Sequence, residues 1–362
     1  MKRIAFLKFI LFYCSYLFFA QAIMGTTSTL PEGVWSIRTT VDYSNMSKAA
    51  AETVNPDGSG KGDFKYISIN EFSTKHINSL QPLIANNMLS GDIQVADYYR
   101  KNQINLNLAY GFTDSLTVSL NVPHIYKELQ YNQDYVSSMN NISPILKSQG
   151  VSTPPSTAIG KGIGDLTISA KYKLEKNLAF ALSYRGGFLK IGTDSKEKPA
   201  SSDNFQSLPT GKLADYYRMT IFYNGQLFNQ PVSYFSSYEI STDGWENMFS
   251  HNYKINNGDT FYFGATTSFS ISDQLTFLPS LVYLQSGIDK KYENNTWSDI
   301  AHSDTYLLIS ESKLQYSVSN FFKTWLSFQV PIIDKASAGS YEFPGRIGTD
   351  LITRFGATLF YQ

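Results

Sequence analysis

Ionisable side chains that recur at alternate positions of the chain are the residues best placed to act on a solute. We list them as candidates for lining a passage: Arg38, Asp42, Lys171, Arg185, Arg218, Glu239, Glu311, Lys313, Asp350 and Arg354, with Arg100, Lys173 and Asp165 beside them. Opposed charges along a passage set its selectivity for solutes and ions. The same charges could instead pair across strands and fill the interior as a network of salt bridges. Both interpretations stay open at this point.

Histidine, cysteine and carboxylate patterns give no support for an enzyme or a metal site. The four histidines are His76, His124, His251 and His302, and none lies in an HExxH motif or a closely spaced ligand set. A lipid hydrolase would need a histidine beside an activated serine. His124 lies near a predicted strand end and is the one candidate, but no motif surrounds it. We expect no catalytic residue, no metal and no cofactor.

The glycines at 160–164, in Gly-Lys-Gly-Ile-Gly, bear a slight likeness to a phosphate-binding loop. Such a loop follows a strand and opens a helix, whereas an alternating strand follows here. The segment therefore predicts the entry of a loop into a sheet rather than a nucleotide site.

Alternation of apolar and polar residues is the dominant pattern of the sequence, and the strands that it predicts would position the charged side chains. Apolar side chains from Ile104 to Phe112 fall on one parity, and the pattern resumes after a three-residue turn with Leu116 to Val122. A period of two gives a strand with one apolar and one polar face, and two such runs across a short turn predict a hairpin.

The same unit recurs to give twelve predicted strands. Short turns are expected at 113–115, 175–177, 228–230, 272–274 and 319–321, and long polar loops at 46–97, 128–162, 191–214, 243–257, 288–303 and 334–346. Strict alternation of short turns and long loops is typical of outer-membrane barrels, with the turns on the periplasmic side. The even strand count puts both termini of the chain on that side.

Strand length and charge favour a lipid environment over a soluble β-sandwich. Most predicted strands run 11 to 15 residues, and a tilted strand needs about 9–11 residues to cross a bilayer. A Lys or Arg facing lipid at mid-depth costs about 2–4 kcal/mol, so the charged parity should face the lumen. Aromatic residues near the strand ends predict two interfacial girdles. We place Tyr110, Phe112, Tyr172, Tyr223, Tyr316, Phe321 and Tyr361 on the turn side, and Tyr43, Tyr126, Tyr216 and Tyr306 on the loop side.

The first 22 residues read as a secretory signal peptide. Lys2, Arg3 and Lys8 precede an apolar run of about 11 residues and a small-x-small site at 20–22, and a spanning helix would need about 20 residues. Its removal takes away the single cysteine, Cys14. It also removes three basic and no acidic residues from a chain with 30 of each, so the formal charge becomes −3. That charge gives no footprint for nucleic acid.

Two segments depart from the regular pattern. Pro279 interrupts the strand predicted at 275–287, so we expect a bulge and an uncertain parity beyond it. The first loop, 46–97, is unusually long. Its apolar positions from Phe72 to Met88 hint at a short helix, and the segment is expected either to plug the lumen or to lie at the surface.

Two stretches resemble a known family. The segment 108–123, which contains Tyr-Gly-Phe-Thr-Asp-Ser-Leu, and the segment 160–174, which contains Gly-Ile-Gly-Asp-Leu, are similar to outer-membrane proteins associated with phenol degradation by the meta-cleavage pathway. The resemblance implies a transporter-type barrel near aromatic catabolism. It supplies no catalytic residues.

We therefore predict an all-β, antiparallel transmembrane barrel of about 12 strands over residues 23–362 in the cell outer membrane. Passive uptake of a small hydrophobic or aromatic solute is the leading function. The alternatives are a closed scaffold whose long loops bind a ligand or a surface and, less favoured, a lipid hydrolase. Expected partners are outer-membrane lipid, the solute, the barrel assembly machinery and periplasmic chaperones, but not nucleic acid.

Overall fold

A computed structural model describes residues 27–46, 67–68, 92–93, 96–131, 133–141, 143–144, 156–186, 214–248, 251–293, 295–299, 304–336 and 351–362. The predicted signal peptide, most of 46–97 with its expected short helix, and Asp350 lie outside these residues. Among the described residues, no helix is both long and apolar enough to span a bilayer.

The described secondary structure is almost entirely strand. In chain order the strands are β1 (Trp35–Met46), β2 (Ile67–Ser68), β3 (Asp92–Ile93), β4 (Ala96–Thr113), β5 (Leu116–Tyr131), β6 (Thr157–Ile163), β7 (Leu166–Glu175), β8 (Leu178–Gly186), β9 (Tyr216–Leu227), β10 (Gln230–Ser241), β11 (Asp243–Met248), β12 (His251–Asn256), β13 (Thr260–Thr267), β14 (Phe269–Ser270), β15 (Leu275–Ser286), β16 (Lys290–Glu293), β17 (Thr296–Asp299), β18 (Thr305–Ser317), β19 (Phe322–Ala336) and β20 (Ile352–Tyr361). Helix α1 spans Gln133–Asn141.

The main sheet closes on itself as an antiparallel barrel. Its order is β1, β4, β5, β7, β8, β9, β10, β13, β15, β18, β19 and β20, and β20 pairs with β1 to complete the ring. Strand β14 continues β13, and β6 continues β7 along β5. The prediction of a twelve-stranded antiparallel barrel is confirmed. Closure leaves no unpaired sheet edge to face lipid.

The two ends of the barrel differ. At one end, hairpins join neighbouring strands through turns of two to four residues. At the other end the strands extend past the ring: α1 and β6 follow β5, and β11, β12, β16 and β17 form a separate four-stranded sheet. Several segments predicted as loops are therefore regular structure. By the architecture of outer-membrane barrels, the turn end is periplasmic and the extended end is extracellular.

Alternating exposure along β1 distinguishes the outer face of the barrel from its inner face. Trp35, Ile37, Val41 and Tyr43 are 39–45% exposed on the outside, whereas Ser36, Thr40 and Ser44 on the other parity are at most 9% exposed. Exposed aliphatic and aromatic side chains continue around the outer wall on other strands. An outward apolar surface of this extent needs an apolar solvent, and the acyl chains of a bilayer supply it.

Pro279 does not produce the expected bulge. Strand β15 keeps one register with β18 through the pair Pro279–Ser312, so the parity beyond the proline is regular. The neighbouring strand is interrupted instead: β13 ends at Thr267, and β14 begins at Phe269 opposite this part of β15. Proline lacks an N–H group, and the partner strand is broken where that donor is missing. A register shift does occur in β19, near Pro331.

Candidate functional site: the barrel lumen

The predicted lumen-lining side chains that the structure describes lie on the inward parity. They are Arg38, Asp42, Lys171, Arg185, Arg218, Glu239, Glu311, Lys313 and Arg354, and Asp350 is outside the described residues. The structure groups them into separate clusters on different parts of the wall. Their role in the passage of a solute stays a prediction.

The first cluster joins two arginines through one carboxylate. Arg185 on β8 and Arg218 on β9 contact opposite oxygens of Glu239 on β10, at 3.0 and 2.6 Å. Each guanidinium also lies over a tyrosine ring: Arg185 is 4.0 Å from the centroid of Tyr216, and Arg218 is 4.5 Å from that of Tyr262. Glu239 is 5% exposed. Its burial is tolerated because two cations and their hydrogen bonds compensate the charge.

A second cluster joins the first and last strands of the barrel. Arg354 on β20 lies directly opposite Asp42 on β1, with 3.2 Å between Nε and Oδ1. Asn105 on β4 donates a 3.4 Å hydrogen bond to the other carboxylate oxygen. The ion pair therefore spans the seam at which the two ends of the sheet meet.

A buried tryptophan organises the third cluster. The Arg38 guanidinium and the Lys313 ammonium each lie 4.9 Å from the ring centroid of Trp325. Gly356 on β20 lies opposite Trp325, and a Cβ atom there would be 2.4 Å from the indole. Glu311, on the same strand as Lys313, accepts a 3.0 Å hydrogen bond from Gln329. Attraction between each cation and the aromatic ring helps to hold two like charges on this wall.

Lys171 is the most deeply packed of the predicted lumen cations. It is 4% exposed, and its Nζ lies 4.1 Å from the ring centroid of Phe222. The residue directly across the ladder is Ala181, and the small alanines of β8 leave room for the long side chain. Lys171 therefore occupies the wall more than the open lumen.

Two sequence predictions about side-chain direction were wrong. Arg100 faces outward on the extracellular extension of β4, where it pairs with Glu128 at 2.5 Å. Tyr216 was expected in the outer girdle but is 4% exposed and stacks under Arg185 in the lumen; Tyr217, 52% exposed, takes the outward position. Both errors arise because one residue of register exchanges the two faces of a strand.

An apolar patch in the lumen was missed by the sequence analysis. Val282 and Leu284 of β15 lie opposite Ile309 and Leu307 of β18, all four half-buried and on the parity that carries Glu311 and Lys313. We call these four residues the lumen patch. The signal was present, since residues 281–284 and 307–309 are apolar on both parities and so break the alternation seen elsewhere.

A segment before β1 lies inside the turn end of the barrel and contacts successive strands from β4 to β9. Leu30 is 1% exposed and packs with Val34, Ala109 and Phe360. Further along, Thr27 accepts a 2.6 Å hydrogen bond from Asn224 on β9, well around the ring from β1. We call residues 27–33 the N-terminal strap. It occupies part of the periplasmic end of the barrel, and no sequence pattern had marked it.

The strap depends on a glycine in the wall. The N–H of Gly33 donates to the carbonyl of Gly111 at 2.9 Å, and the N–H of Gly111 donates to the carbonyl of Val34 at 3.0 Å. A Cβ atom on Gly111 would lie 2.0 Å from the carbonyl oxygen of Pro31. The backbone of the strap therefore occupies the space that any other residue at 111 would need.

The weaker chemical candidates do not form sites. The cross-strand neighbours of His124 are Ile104 and Ile163, so neither one supplies the serine that a hydrolase would need. Residues 160–163 belong to strand β6 rather than to a phosphate loop. Among the described residues, no group of three His, Cys, Asp or Glu side chains is arranged to hold a metal ion.

The extracellular sheet carries its own cluster of a cation with aromatic rings. Lys254 lies 5.5 Å from the ring of Tyr292 and 5.4 Å from that of Trp297, and both rings are exposed. Its ammonium also contacts Asp243 at 2.8 Å. The hydrogen bond from Lys254 lowers the pKa of the Asp243 carboxyl below its ordinary value.

Comparison with known proteins supports the fold. No protein-family model and no curated protein sequence matches the chain. Among solved structures, an outer membrane channel from Pseudomonas putida F1 is 11% identical with a TM-score of 0.57, over 94% of this chain and 100% of that one. The fold is that of an outer-membrane β-barrel. The toluene transporter TbuX of Ralstonia pickettii is 11% identical over 92% of this chain and 89% of that one, but its TM-score of 0.40 is too low to support an argument.

Proposed function

We propose that the chain is an outer-membrane channel for the passive uptake of a small hydrophobic or aromatic solute. The observation that carries this proposal is the lumen patch. Val282, Leu284, Ile309 and Leu307 present apolar surface to the inside of a barrel whose inner wall is otherwise rich in charged and polar side chains.

Lumen-facing aliphatic side chains need a reason in a water-accessible interior. Burial of apolar area contributes about 25 cal/mol per Å² to the free energy of folding or binding. An apolar side chain that faces water does not gain this contribution. A passing apolar solute covers the patch and gains the same contribution. Binding sites for small molecules combine such surface with a few placed polar groups, and the neighbouring arginines fit that description.

The finer assignment rests on sequence alone. The resemblance of 108–123 and 160–174 to barrels associated with phenol degradation favours an aromatic solute. The similar fold of the outer membrane channel from Pseudomonas putida F1 is compatible with a channel, and it does not bear on the solute. Delivery by periplasmic chaperones and the barrel assembly machinery follows from the class of protein and is part of the proposal.

Uptake of radiolabelled toluene by cells tests the function. Cells that lack the chain are compared with cells that carry the wild-type protein and with cells that carry the variant Leu307→Asn, Ile309→Asn; arabinose serves as the polar control solute. We expect the wild-type chain to raise the initial rate for toluene and not for arabinose, and the variant to lose most of that gain. Heat-modifiable gel mobility shows that each variant is folded. No gain from the wild-type chain would overturn the proposal.

A second candidate is a closed scaffold that binds a ligand or surface with its extracellular extensions. The exposed rings of Tyr292 and Trp297 on the outer sheet favour it, and the N-terminal strap inside the turn end of the barrel is compatible with it. Single-channel recording separates the two functions: conductance steps that grow on deletion of 46–97 favour a channel, and silence in both chains favours the scaffold.

A further inference from the structure

We propose that Arg185 and Arg218 form a binding site for the anionic group of an aromatic or aliphatic monocarboxylate, with the apolar part of that solute lying on the lumen patch. This inference deepens the proposed function and rests on it, because it names the charge class of the solute that the lumen selects.

The two guanidinium groups are held in place before any ligand arrives. Both are fixed on one side by Glu239 and on another by a tyrosine ring, and their side chains are still 32% and 36% exposed. Guanidinium groups pair with carboxylates through a planar fork of donors. A cation already fixed by its surroundings loses little conformational freedom when it binds an anion.

The charge of the cluster matches a single negative charge. Two arginines and one glutamate leave a net charge of +1, and Glu239 is already shared between both arginines through its two oxygens. A second carboxylate from a solute would complete the neutralisation. A cationic solute would meet two guanidinium groups, with the buried Glu239 behind them.

Apolar surface adjoins this charge through Tyr262. Arg218 lies over the Tyr262 ring, and Tyr262 lies directly opposite Leu284 in the barrel ladder. Leu284 is in turn opposite Leu307, and the next inward pair is Val282 with Ile309. Charge, aromatic ring and aliphatic patch therefore follow one another across five neighbouring strands, from β9 to β18. A solute with an anionic head and an apolar body fits this sequence of surfaces.

Binding to the purified full-length barrel in lipid nanodiscs tests the site separately from transport. Isothermal titration compares benzenesulfonate, phenyltrimethylammonium and methanesulfonate, whose charges are fixed at every pH. We expect benzenesulfonate to bind about tenfold or more tightly than either of the others, because phenyltrimethylammonium carries the opposite charge and methanesulfonate has no aromatic ring.

Charge variants give shifts of opposite sign. Arg218→Gln should weaken benzenesulfonate binding about tenfold, the usual scale for loss of a charge-assisted hydrogen bond. Glu239→Gln, which removes the competing carboxylate and keeps the shape, should tighten it. Arg100→Gln is the matched control, because Arg100 has the same charge and a glutamate partner but lies on the outside of the barrel.

The outcomes separate this inference from the proposed function. Equal binding of the anion and the cation, or weaker binding in both the Arg218→Gln and the Glu239→Gln variants, would overturn the anion site. The second result would show that the cluster is only structural. Toluene uptake without a preference for benzenesulfonate overturns the site and leaves the channel. Tight benzenesulfonate binding without solute uptake overturns the channel and leaves the site.

Discussion

At the scale of single residues, the lumen places cations next to aromatic rings. Arg38 and Lys313 both lie near the ring of Trp325, and Lys171 and Arg185 each lie over a ring as well. Such contacts are worth about 0.5–2 kcal/mol each, with the larger values where water is excluded. Small residues lie across the ladder from two of these rings: Gly356 is opposite Trp325, and Ala179 is opposite Phe222.

Gly356 offers a direct test of that geometry. A Cβ atom in Gly356→Ala would overlap the Trp325 indole, a rigid ring that is 5% exposed and has little room to move. We expect a loss of about 1–3 kcal/mol of stability, as for other overpacked sites. The urea concentration at which the folded gel band disappears measures this loss. Gly287→Ala is the control, since a Cβ there meets only ordinary contacts; equal stability of the two variants would show that the ring adapts freely.

The alternation in the sequence assigned each charge to one face of a strand, wrongly for Arg100, and it did not predict the partners of the charges. Alternation alone placed Arg38, Asp42 and Arg354 on the correct parity. The contact of Arg354 with Asp42 depends on how the first and last strands are registered, and that register is set by the whole ring. Tyr216 shows the weakness of the same rule, since an aromatic residue near a strand end fits a girdle and a lumen wall equally well.

At the scale of elements, the strands followed from local pattern while their extensions did not. The short turns and apolar parities of β4 and β5 are visible in the sequence over a few residues. The N-terminal strap has no periodicity of its own, because it is held by hydrogen bonds to residues more than 80 positions away, such as Leu30 to Thr117. Contacts at that separation leave no local signal.

The strap makes a prediction through Gly111. In Gly111→Ala the new methyl group and the strap backbone cannot occupy the same space, so the strap must leave its seat near Pro31. If the strap narrows the periplasmic end, conductance in planar bilayers should rise severalfold over the wild-type value. Gly287→Ala again serves as the control. An unchanged conductance in a folded Gly111→Ala barrel would show that the strap does not limit the path.

At the scale of the whole molecule, closure of the sheet into a barrel creates the lumen in which the charged clusters and the lumen patch lie. Twelve strands enclose a lumen between the packed interior of eight-stranded barrels and the open channel of sixteen. Among the described residues, the interior then carries the ion pair at the seam, the N-terminal strap at the turn end and the lumen patch on β15 and β18. Strand number and closure were predictable because turns and loops alternate strictly. The two apolar stretches of the lumen patch are visible in the sequence, but the pairing of β15 with β18 that brings them together is not.

The orientation of the two faces is tested most directly by a cysteine scan of β1. Single cysteines at positions 35–44, in a chain with Cys14 replaced by serine, are spin-labelled in proteoliposomes, and collision with oxygen dissolved in the lipid is measured by electron paramagnetic resonance. We expect high oxygen collision rates at 35, 37, 39, 41 and 43 and low rates at the even positions between them. Low rates at 37 and 41, equal to those of their even neighbours, would contradict a barrel with its apolar face in lipid.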